Sequence, residues 1–557
     1  MEKFTALFTR YPRWIALVAG GVSATGFAPL NLWPLTLLCL ALLMQLVASA
    51  DSGKRAFLIG WLFGVGHFSI GNNWIATAFT FQAAMPAWLG WIAVLLLALY
   101  LAVYPALACW GAWWVAKWVG GKAQNAPVSW PFIFSFAGFW IVTEWLRAWV
   151  FTGFAWNPLA AIHVTRHSDN FGEYLGSYGA SGVIILLNLG VYFLIFHWSV
   201  TRKAPAQNEG DFEINSAEST ATPLILIMFF LVWALVLSTL SGGHSTESNR
   251  KLGPLITVVQ PNISQIDKHS AGYEAVNFAR LAQNSRGRSA EPSLLFWPES
   301  AIPWWLEDGY PRQTYLNQPG GTAVGTRQTL AKLLGPNDLL LTGGDRLEFG
   351  PDGKVVGAHN SVLVMDAKGD ILDSYDKAHL VPYGEYLALR WLLEPLGATR
   401  LVPGAIDFWP GPGPRTLDLP FDGKRIKVGM QICYEIIFSG QVVDPKNRPE
   451  FIFNPSNDAW FGSWGQPQFL AQAQLRAIEE GLPLVRATPT GISAVIDADG
   501  RLDESLPSGK SGRIDALLPV AKAPTLFARY GNILPLGFAA LLIALAFLPL
   551  VRRRISR

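Results

Sequence analysis

Long apolar runs alternate with short polar loops along most of the chain, and one long polar segment interrupts them near the carboxyl end. Each apolar run is close to, or longer than, the roughly 20 residues that a helix needs to cross a bilayer. The runs lie at about 13–30, 33–50, 56–75, 87–116, 130–149, 180–200, 222–241 and 531–551. The pattern therefore predicts eight transmembrane helices, seven before the polar segment and one after it.

The polar segment, residues 242–530, is long enough to form a core of its own. Strand-like patterns occur at 255–260, 293–297, 339–342, 361–366, 426–433 and 451–454. Helical periodicity occurs at 270–286 and 466–480. This alternation favours an α/β sandwich. We predict a membrane domain at 1–241, an inserted α/β domain at 242–530, and a last helix with a basic tail at 531–557.

Basic residues orient the predicted helices. They lie near the amino terminus, in alternate short loops, and at the carboxyl terminus, whereas the loops near 29–32 and 77–85 carry no charge. The positive-inside rule then places both termini in the cytoplasm. Seven crossings before residue 242 put the polar domain outside the membrane, which is the periplasm in a bacterium with two membranes.

Composition agrees with a membrane protein that carries a polar domain. Hydrophobic residues make up 51% of the chain and charged residues 15%, against about 25% charged in typical soluble proteins. The net charge is only +3, and no basic patch with interleaved aromatic residues is evident, so we expect no nucleic-acid partner. The three cysteines form no CxxC pair or His/Cys cluster, which predicts neither a disulfide framework nor a metal site.

Cys433 is the one cysteine of the polar domain, since Cys39 and Cys109 lie in apolar runs. It ends the predicted strand 426–433 and is followed by Tyr434 and Glu435. A thiol at the end of a rigid strand can serve as a nucleophile. The alternative is a small buried hydrophobic residue, a common role of free cysteine.

Glu299 follows the buried strand 293–297 and Pro298, which ends strand pairing. Its apolar flanks argue against a freely solvated loop glutamate, the alternative interpretation. Burial predicts a raised pKa for this carboxyl and a role as general base.

Lys377 lies among charged and aromatic residues in the stretch 375–386, directly after a predicted strand pair. It is a candidate for stabilising an oxyanion, and the alternative is a surface charge. Glu385 either orients this lysine or is an ordinary loop charge. We interpret His379 as structural.

A glutamate, a lysine and a cysteine at strand ends, in this order, resemble the nitrilase (carbon–nitrogen hydrolase) superfamily. Together with the membrane layout, four motifs resemble the apolipoprotein N-acyltransferase family within that superfamily. They are WPES at 297–300, KAHLVP at 377–382, CYE at 433–435 and SNDAWF at 456–461. The resemblance covers almost the whole chain and implies an αββα sandwich. One departure is His269, which stands where the family carries a tryptophan.

The resemblance implies roles for the three residues: Glu299 takes the thiol proton, Cys433 attacks a carbonyl carbon, and Lys377 stabilises the tetrahedral intermediate. It also implies transfer of a fatty acyl chain from a phospholipid to the N-terminal amine of a lipoprotein's diacylglyceryl-cysteine, through a thioester. Such a reaction requires no metal or cofactor. We expect a monomer embedded in the bacterial inner membrane.

Several neighbouring residues have two interpretations each. Tyr434 and Glu435 shape the pocket or assist deprotonation of the amine, and the alternative for Glu435 is a hydrogen-bond acceptor in a supporting position. The aromatic loop 147–156 is an interfacial anchor or faces substrate. Loops 304–306 and 386–393 act as lids or pack into the core. Asn457 and Asp458 are expected to cap a turn before a helix that begins near Gln466.

Two rival functions remain open from the residues alone. A membrane-tethered amidase or nitrilase would use the same three residues with water as acceptor, although eight spans exceed the needs of a tether. A transporter with an external binding domain would be expected to show intramembrane charges or a repeat of broken helices. Only Glu144 and Arg147 lie near a membrane end.

Overall fold

The computed structural model describes residues 10–81, 86–120, 128–164, 171–192, 252–269, 272–287, 289–396 and 407–550. The predicted span at 222–241 and the basic tail from 551 onward lie outside the described residues.

Seven helices of at least 12 residues precede residue 193 in the described part of the chain. They are α1 (Pro12–Ser23), α2 (Trp33–Ala48), α3 (Gly53–Gly71), α4 (Leu89–Leu101), α5 (Val103–Gly120), α6 (Trp130–Arg147) and α7 (Phe171–Tyr192). They follow the predicted apolar runs, except that the run 87–116 forms two consecutive helices and α7 begins earlier than the predicted 180. Among the described residues, Leu89–Gly120, Phe171–Tyr192 and Ile533–Leu550 are long and apolar enough to cross a membrane.

Small residues let these helices approach closely. A Cβ at Gly20 of α1 would lie 1.9 Å from the carbonyl oxygen of Phe63, and one at Gly66 of α3 would lie 2.0 Å from that of Leu17. Close backbone packing through small residues is typical of membrane helices, where lipid removes most of the hydrophobic drive for association. The bundle is therefore held by shape complementarity.

The polar domain contains two six-stranded sheets. The first has the order β12-β1-β2-β3-β4-β5 and the second the order β11-β10-β9-β8-β7-β6. The strands are β1 (Leu252–Gln260), β2 (Ser293–Phe296), β3 (Leu339–Phe349), β4 (Val355–Asp366), β5 (Ile371–Asp376), β6 (Thr416–Phe421), β7 (Lys424–Met430), β8 (Phe451–Pro455), β9 (Leu484–Ala487), β10 (Ser493–Ile496), β11 (Leu502–Leu506) and β12 (Gly512–Pro519). The central trios β1–β2–β3 and β7–β8–β9 pair in parallel. Parallel neighbours place their carboxyl ends at one edge, where sites are commonly built.

Alternate residues of each central strand face two different cores. In β2, Leu294 and Phe296 pack between the sheets, and the Phe296 ring lies 4.8 Å from that of Phe453 in β8. Leu295 and the following Trp297 belong to a second apolar cluster on the outer face, under helices. The period-2 pattern of a strand buried on both faces thus gives the predicted α/β sandwich.

Helices cover the sheets and return the chain to the membrane domain. They are α8 (Glu274–Ser285), α9 (Ala323–Ala331), α10 (Gly462–Glu480) and α11 (Ile533–Ala546). Several predicted boundaries are wrong: β3 continues to Phe349, β4 begins at Val355 and α8 begins at Glu274. Two further differences lie near Cys433 and Asn457. The helix expected near Gln466 begins at Gly462, and the strand expected to run to Cys433 ends at Met430, because the backbone turns at the cysteine.

Helix α10 joins the two domains through buried polar contacts. The indole of Trp156 donates to Gln468 at 2.8 Å, and the backbone N–H and hydroxyl of Ser177 donate to Glu479 at 2.6 Å. Both partners on α10 are completely buried. Because an unpaired buried polar group is costly, these bonds fix the polar domain on the membrane helices.

Candidate active site

Glu299 lies in a tight turn after β2 that packs directly on β3. The turn is held by hydrogen bonds from Gly343 N–H to Pro298 carbonyl oxygen at 3.1 Å and from Ala301 N–H to Gly343 carbonyl oxygen at 3.0 Å. Ser300 has a φ of 43°, in the left-handed region. This geometry turns the Glu299 side chain into the interior, where it is 6% exposed.

The Glu299 carboxylate is fully engaged by donors. Its Oε1 accepts from the Asn360 amide at 2.7 Å, its Oε2 accepts from the Asn457 backbone N–H at 2.6 Å, and Lys377 Nζ lies 3.5 Å from Oε1. Burial raises the pKa of this carboxyl, but the Lys377 ammonium and the neutral donors outweigh burial and bring the pKa below its usual value. The predicted rise in pKa is therefore wrong, because the apolar flanks do not show the cation beside the carboxylate.

Lys377 follows β5 and lies between two carboxylates. Its Nζ donates to Glu385 Oε1 at 2.9 Å, and the Asn360 amide donates to the same Glu385 oxygen at 2.9 Å. Lys377 is 1% exposed, so the alternative of a surface charge is wrong. Burial alone would lower the pKa of this lysine, but Glu385 and Glu299 outweigh burial and raise the pKa above its usual value. The side chain is a permanently charged, fixed cation.

Cys433 begins a short 3₁₀ turn, Cys433–Ile437, that follows β7 and two connecting residues. Its φ is 52°, a left-handed conformation that is uncommon for a residue with a side chain. The thiol is buried, and burial, together with the Glu299 carboxylate, raises its pKa well above the usual value, while Lys377 opposes this rise. The resting group is therefore a thiol, and a base must remove its proton before it can attack.

Glu435 links the peptide before the cysteine to the loop after the lysine. Its Oε2 accepts from Ile432 N–H at 2.6 Å, and its Oε1 accepts from Ala378 N–H at 2.7 Å and Tyr375 hydroxyl at 2.8 Å. Burial raises the pKa of this carboxyl to about 7, although these donors oppose the rise. This geometry indicates that Glu435 supports the two loops and holds them at a fixed spacing.

The aromatic loop after α6 contacts both of these loops. The carbonyl oxygen of Thr152 lies 3.2 Å from His379 Nε2, and that of Gly153 accepts from the Tyr434 hydroxyl at 3.2 Å. The His379 ring also stacks on Phe438 at 3.8 Å between centroids. This loop of the membrane domain therefore packs directly against the loops that follow Lys377 and Cys433.

The two candidate lids differ in the structure. Leu306 is 2% exposed and Trp304 packs against Phe278 at 5.0 Å between ring centroids, so loop 304–306 is part of the core. In the other loop, Trp391 is 76% exposed and Leu392 is 45% exposed. That loop presents apolar surface that the described part of the domain does not cover.

Three contributors were missed by sequence reasoning. Asn360 donates to both glutamates, the Asn457 backbone N–H binds Glu299, and Lys268 Nζ lies 3.4 Å from the Glu299 carbonyl oxygen. Asn457 lies in the SNDAWF motif, and its side chain accepts from Ala459 N–H at 3.3 Å, as expected of a turn cap. The turn-cap prediction does not show that its backbone N–H binds Glu299. Asn360 lies inside a strand, where neither its residue type nor its spacing in the sequence indicates a role in the site.

Two family models match the chain. Residues 19–190 match the apolipoprotein N-acyltransferase N-terminal domain, and residues 255–522 match the carbon-nitrogen hydrolase domain. Among solved structures, that of Saccharomyces cerevisiae Nit3, a member of branch 10 of the nitrilase superfamily, matches 49% of this chain and 93% of its own, at 19% identity and a TM-score of 0.33.

Relatives with the same name match nearly end to end. The apolipoprotein N-acyltransferase of Rhodopseudomonas palustris is 33% identical over 97% of this chain and 95% of its own length. The Bradyrhizobium diazoefficiens protein is 33% identical over 98% of this chain and 95% of its own length. The Caulobacter vibrioides protein is 32% identical over 95% of this chain and 92% of its own length. With this identity and coverage, and with a matching model for each domain, the chain belongs to the apolipoprotein N-acyltransferase family.

Proposed function

We propose that this protein transfers a fatty acyl chain from a phospholipid to the N-terminal amine of diacylglyceryl-cysteine on a lipoprotein, through a thioester on Cys433. The observation that carries the proposal is the buried ion pair of Lys377 and Glu299, set beside a thiol on a left-handed turn. The names of the relatives give an apolipoprotein as acceptor and N-acylation as the reaction, and the phospholipid donor is part of this proposal. Family membership does not favour a tethered hydrolase or a transporter.

In the first half-reaction Glu299 is the general base. Its carboxylate accepts the thiol proton, and the thiolate attacks the ester carbonyl carbon of the phospholipid. Lys377 and a backbone N–H near Cys433 stabilise the oxyanion; losing one such donor typically costs about 3–4 kcal/mol. The intermediate collapses to a thioester, and the departing lysophospholipid oxygen takes the proton back from Glu299.

In the second half-reaction the lipoprotein amine attacks the thioester. Glu299 accepts a proton from the attacking nitrogen and returns it to the departing sulfur, so an amide forms and the free thiol is restored. The thioester preserves the activation of the original ester, so the chemistry needs no nucleotide and no metal. Glu385 positions Lys377, and Tyr434 and Glu435 support the loops on either side of the thiol.

The membrane supplies both substrates at one depth. We propose eight spans, with a membrane domain at 1–241, a catalytic domain at 242–530, and a last span and basic tail at 531–557. Both termini then lie in the cytoplasm and the catalytic domain in the periplasm, where the positive-inside rule places them. The protein is proposed to act as a monomer in the bacterial inner membrane.

Exposed apolar residues in the loop that follows Glu385 support access from lipid. Trp391 and Leu392 extend from the domain on a short helix, Arg390–Leu393. Clustered apolar residues of this kind on an otherwise polar domain mark contact with a membrane or a ligand. The loop 386–393 is therefore proposed as the gate between the bilayer and the thiol.

Mass spectrometry of the intact protein tests the proposal. The protein, in detergent micelles, is mixed with a phospholipid of defined acyl chains and without acceptor; a mass increase of one acyl chain is expected on Cys433. Cys433→Ala should show no adduct, and addition of a diacylated lipopeptide amine should remove the adduct from the wild type and acylate the peptide. Release of free fatty acid at the same rate with and without the peptide would instead establish a hydrolase, and absence of any adduct would refute the thioester.

A further inference from the structure

The backbone at Cys433 needs external support. Its φ of 52° is unfavourable for a residue with a Cβ and persists only where surrounding contacts hold it. The side-chain amide of Asn454, at the end of β8, supplies such contacts. Its Nδ2 donates to the carbonyl oxygen of Gln431 at 2.6 Å and to that of Cys433 at 3.4 Å.

Asn454 is in turn held by a buried cation. Arg486, on β9, donates through one terminal nitrogen to Asn454 Oδ1 and through the other to Asp458 Oδ1 at 2.6 Å. Its guanidinium carbon lies 4.3 Å from the centre of the Phe469 ring. Arg486, Asp458 and Asn454 all have 0% exposure. The fork of the guanidinium therefore fixes the amide that holds the nucleophile's backbone.

The same cation also reaches the thiol. Ser456 Oγ lies 3.4 Å from the second terminal nitrogen of Arg486 and donates to Asp458 Oδ1 at 2.8 Å. Burial is the largest influence on the pKa of the Cys433 thiol and raises it, whereas the neighbouring Ser456 side chain lowers it. Two branches thus run from Arg486 to Cys433, one to the backbone and one to the sulfur.

Stability alone does not explain the buried pair of Arg486 and Asp458. In the described part of the chain, Arg486 Nε and Asp458 Oδ2 are buried without a hydrogen-bond partner. Buried ion pairs with unsatisfied atoms are often replaced by apolar residues without loss of stability. A role in positioning neighbouring groups explains the pair better than a contribution to stability does.

We propose that Arg486 is a positioning residue for the nucleophile, which acts with Asp458 to fix the backbone of Cys433 through Asn454 and its thiol through Ser456. The proposal rests on the proposed function only in taking Cys433 as the reacting group. It predicts that disturbing Arg486 changes the reactivity of the thiol itself, in the absence of any lipid or lipoprotein.

The test measures alkylation of Cys433 by iodoacetamide across pH in the full-length protein in detergent micelles. Mass spectrometry assigns the modified cysteine, with Cys433→Ala as background. Arg486→Lys keeps the charge but loses the fork, and we expect its alkylation at a fixed pH to be slower by about tenfold for each unit by which the pKa of the thiol rises. Its pH profile should also move to higher pH.

Arg327→Lys is the matched control. Arg327 is also buried, donates to Gly369 carbonyl oxygen at 2.8 Å and pairs with Asp308 at 2.8 Å, away from the thiol. We expect this variant to lose thermal stability while its alkylation profile stays that of the wild type. If Arg486→Lys and Arg327→Lys give the same profile as the wild type, the proposal is overturned.

A second variant decides the matter if Arg486→Lys does not fold. Arg486→Met combined with Asp458→Leu removes both charges at similar volume, a change that usually preserves folding. A folded double variant with slow alkylation and a shifted profile supports the proposal, and wild-type alkylation overturns it. Because no acyl donor is present, failure here differs from failure of the acyl-adduct experiment, which concerns the function and not the positioning.

Discussion

Gly343 on β3 offers a direct test of how closely the proposed base must be placed. Its own backbone forms three hydrogen bonds with the segment 298–302, which carries Glu299. A Cβ at Gly343 would lie 2.4 Å from Ser300 N, 2.5 Å from Pro298 O and 2.7 Å from Glu299 Cα. All three are backbone atoms, which cannot move aside as a flexible side chain can.

The magnitude follows from these distances. Ordinary van der Waals contact with a Cβ begins at 3.4 Å, so Gly343→Ala requires the turn to retreat by about 1 Å from its nearest atom. A displacement of about 1 Å at a reacting group costs on the order of a hundredfold in rate. The overpacking itself should reduce the free energy of unfolding by about 1–3 kcal/mol. We therefore expect a folded, less stable protein with a strongly reduced rate of Cys433 acylation.

Gly344→Ala is the matched control on the neighbouring residue. A Cβ there would meet only Leu363 Cδ1, at 3.1 Å, which is the end of a flexible side chain. The assay is single-turnover formation of the acyl adduct by mass spectrometry, with thermal unfolding followed in the same micelles. Equal acylation rates for Gly343→Ala and Gly344→Ala would refute the reasoning, because the turn would then tolerate displacement without loss of chemistry.

Three further predictions concern charge, pH and lipid access. Glu385→Gln removes one of the two carboxylates that contact Lys377. It should lower the free energy of unfolding by about 3 kcal/mol or more, measured by denaturation, and slow acylation, measured by adduct formation. Unchanged acylation would contradict a positioning role for Glu385. Burial raises the pKa of Glu480 from 4.5 to about 7, so the folded state retains a proton that the unfolded chain loses, and stability should fall as pH rises between these values. Glu480→Gln should remove up to about 3 kcal/mol of that decline in pH-dependent thermal unfolding, and an identical decline in the variant would contradict the pKa. Polar substitution of Trp391 and Leu392 should slow lipid turnover more than it lowers domain stability, and equal losses would count against a gating loop.

The sequence determined many of the elements and the candidates for the reacting groups. Apolar runs indicated the membrane helices of the described residues. Strand patterns indicated the central strands β1, β2, β3, β7 and β8, but not β9. Glu299, Lys377 and Cys433 could be selected as candidates because each follows a predicted strand, and strand ends are where sites are commonly built. These features are local, because the side-chain pattern along a strand or helix depends on consecutive residues.

Only the tertiary structure decided the electrostatics and support of the site. The pKa of Glu299 falls, contrary to expectation, because Lys377 and Asn360 come from other strands, and no local pattern shows which charge will lie beside a carboxylate. The support of Cys433 by Arg486 likewise joins residues far apart in the chain. Distances between such groups arise when two sheets pack, so the chemistry of the site depends on contacts that consecutive residues do not encode.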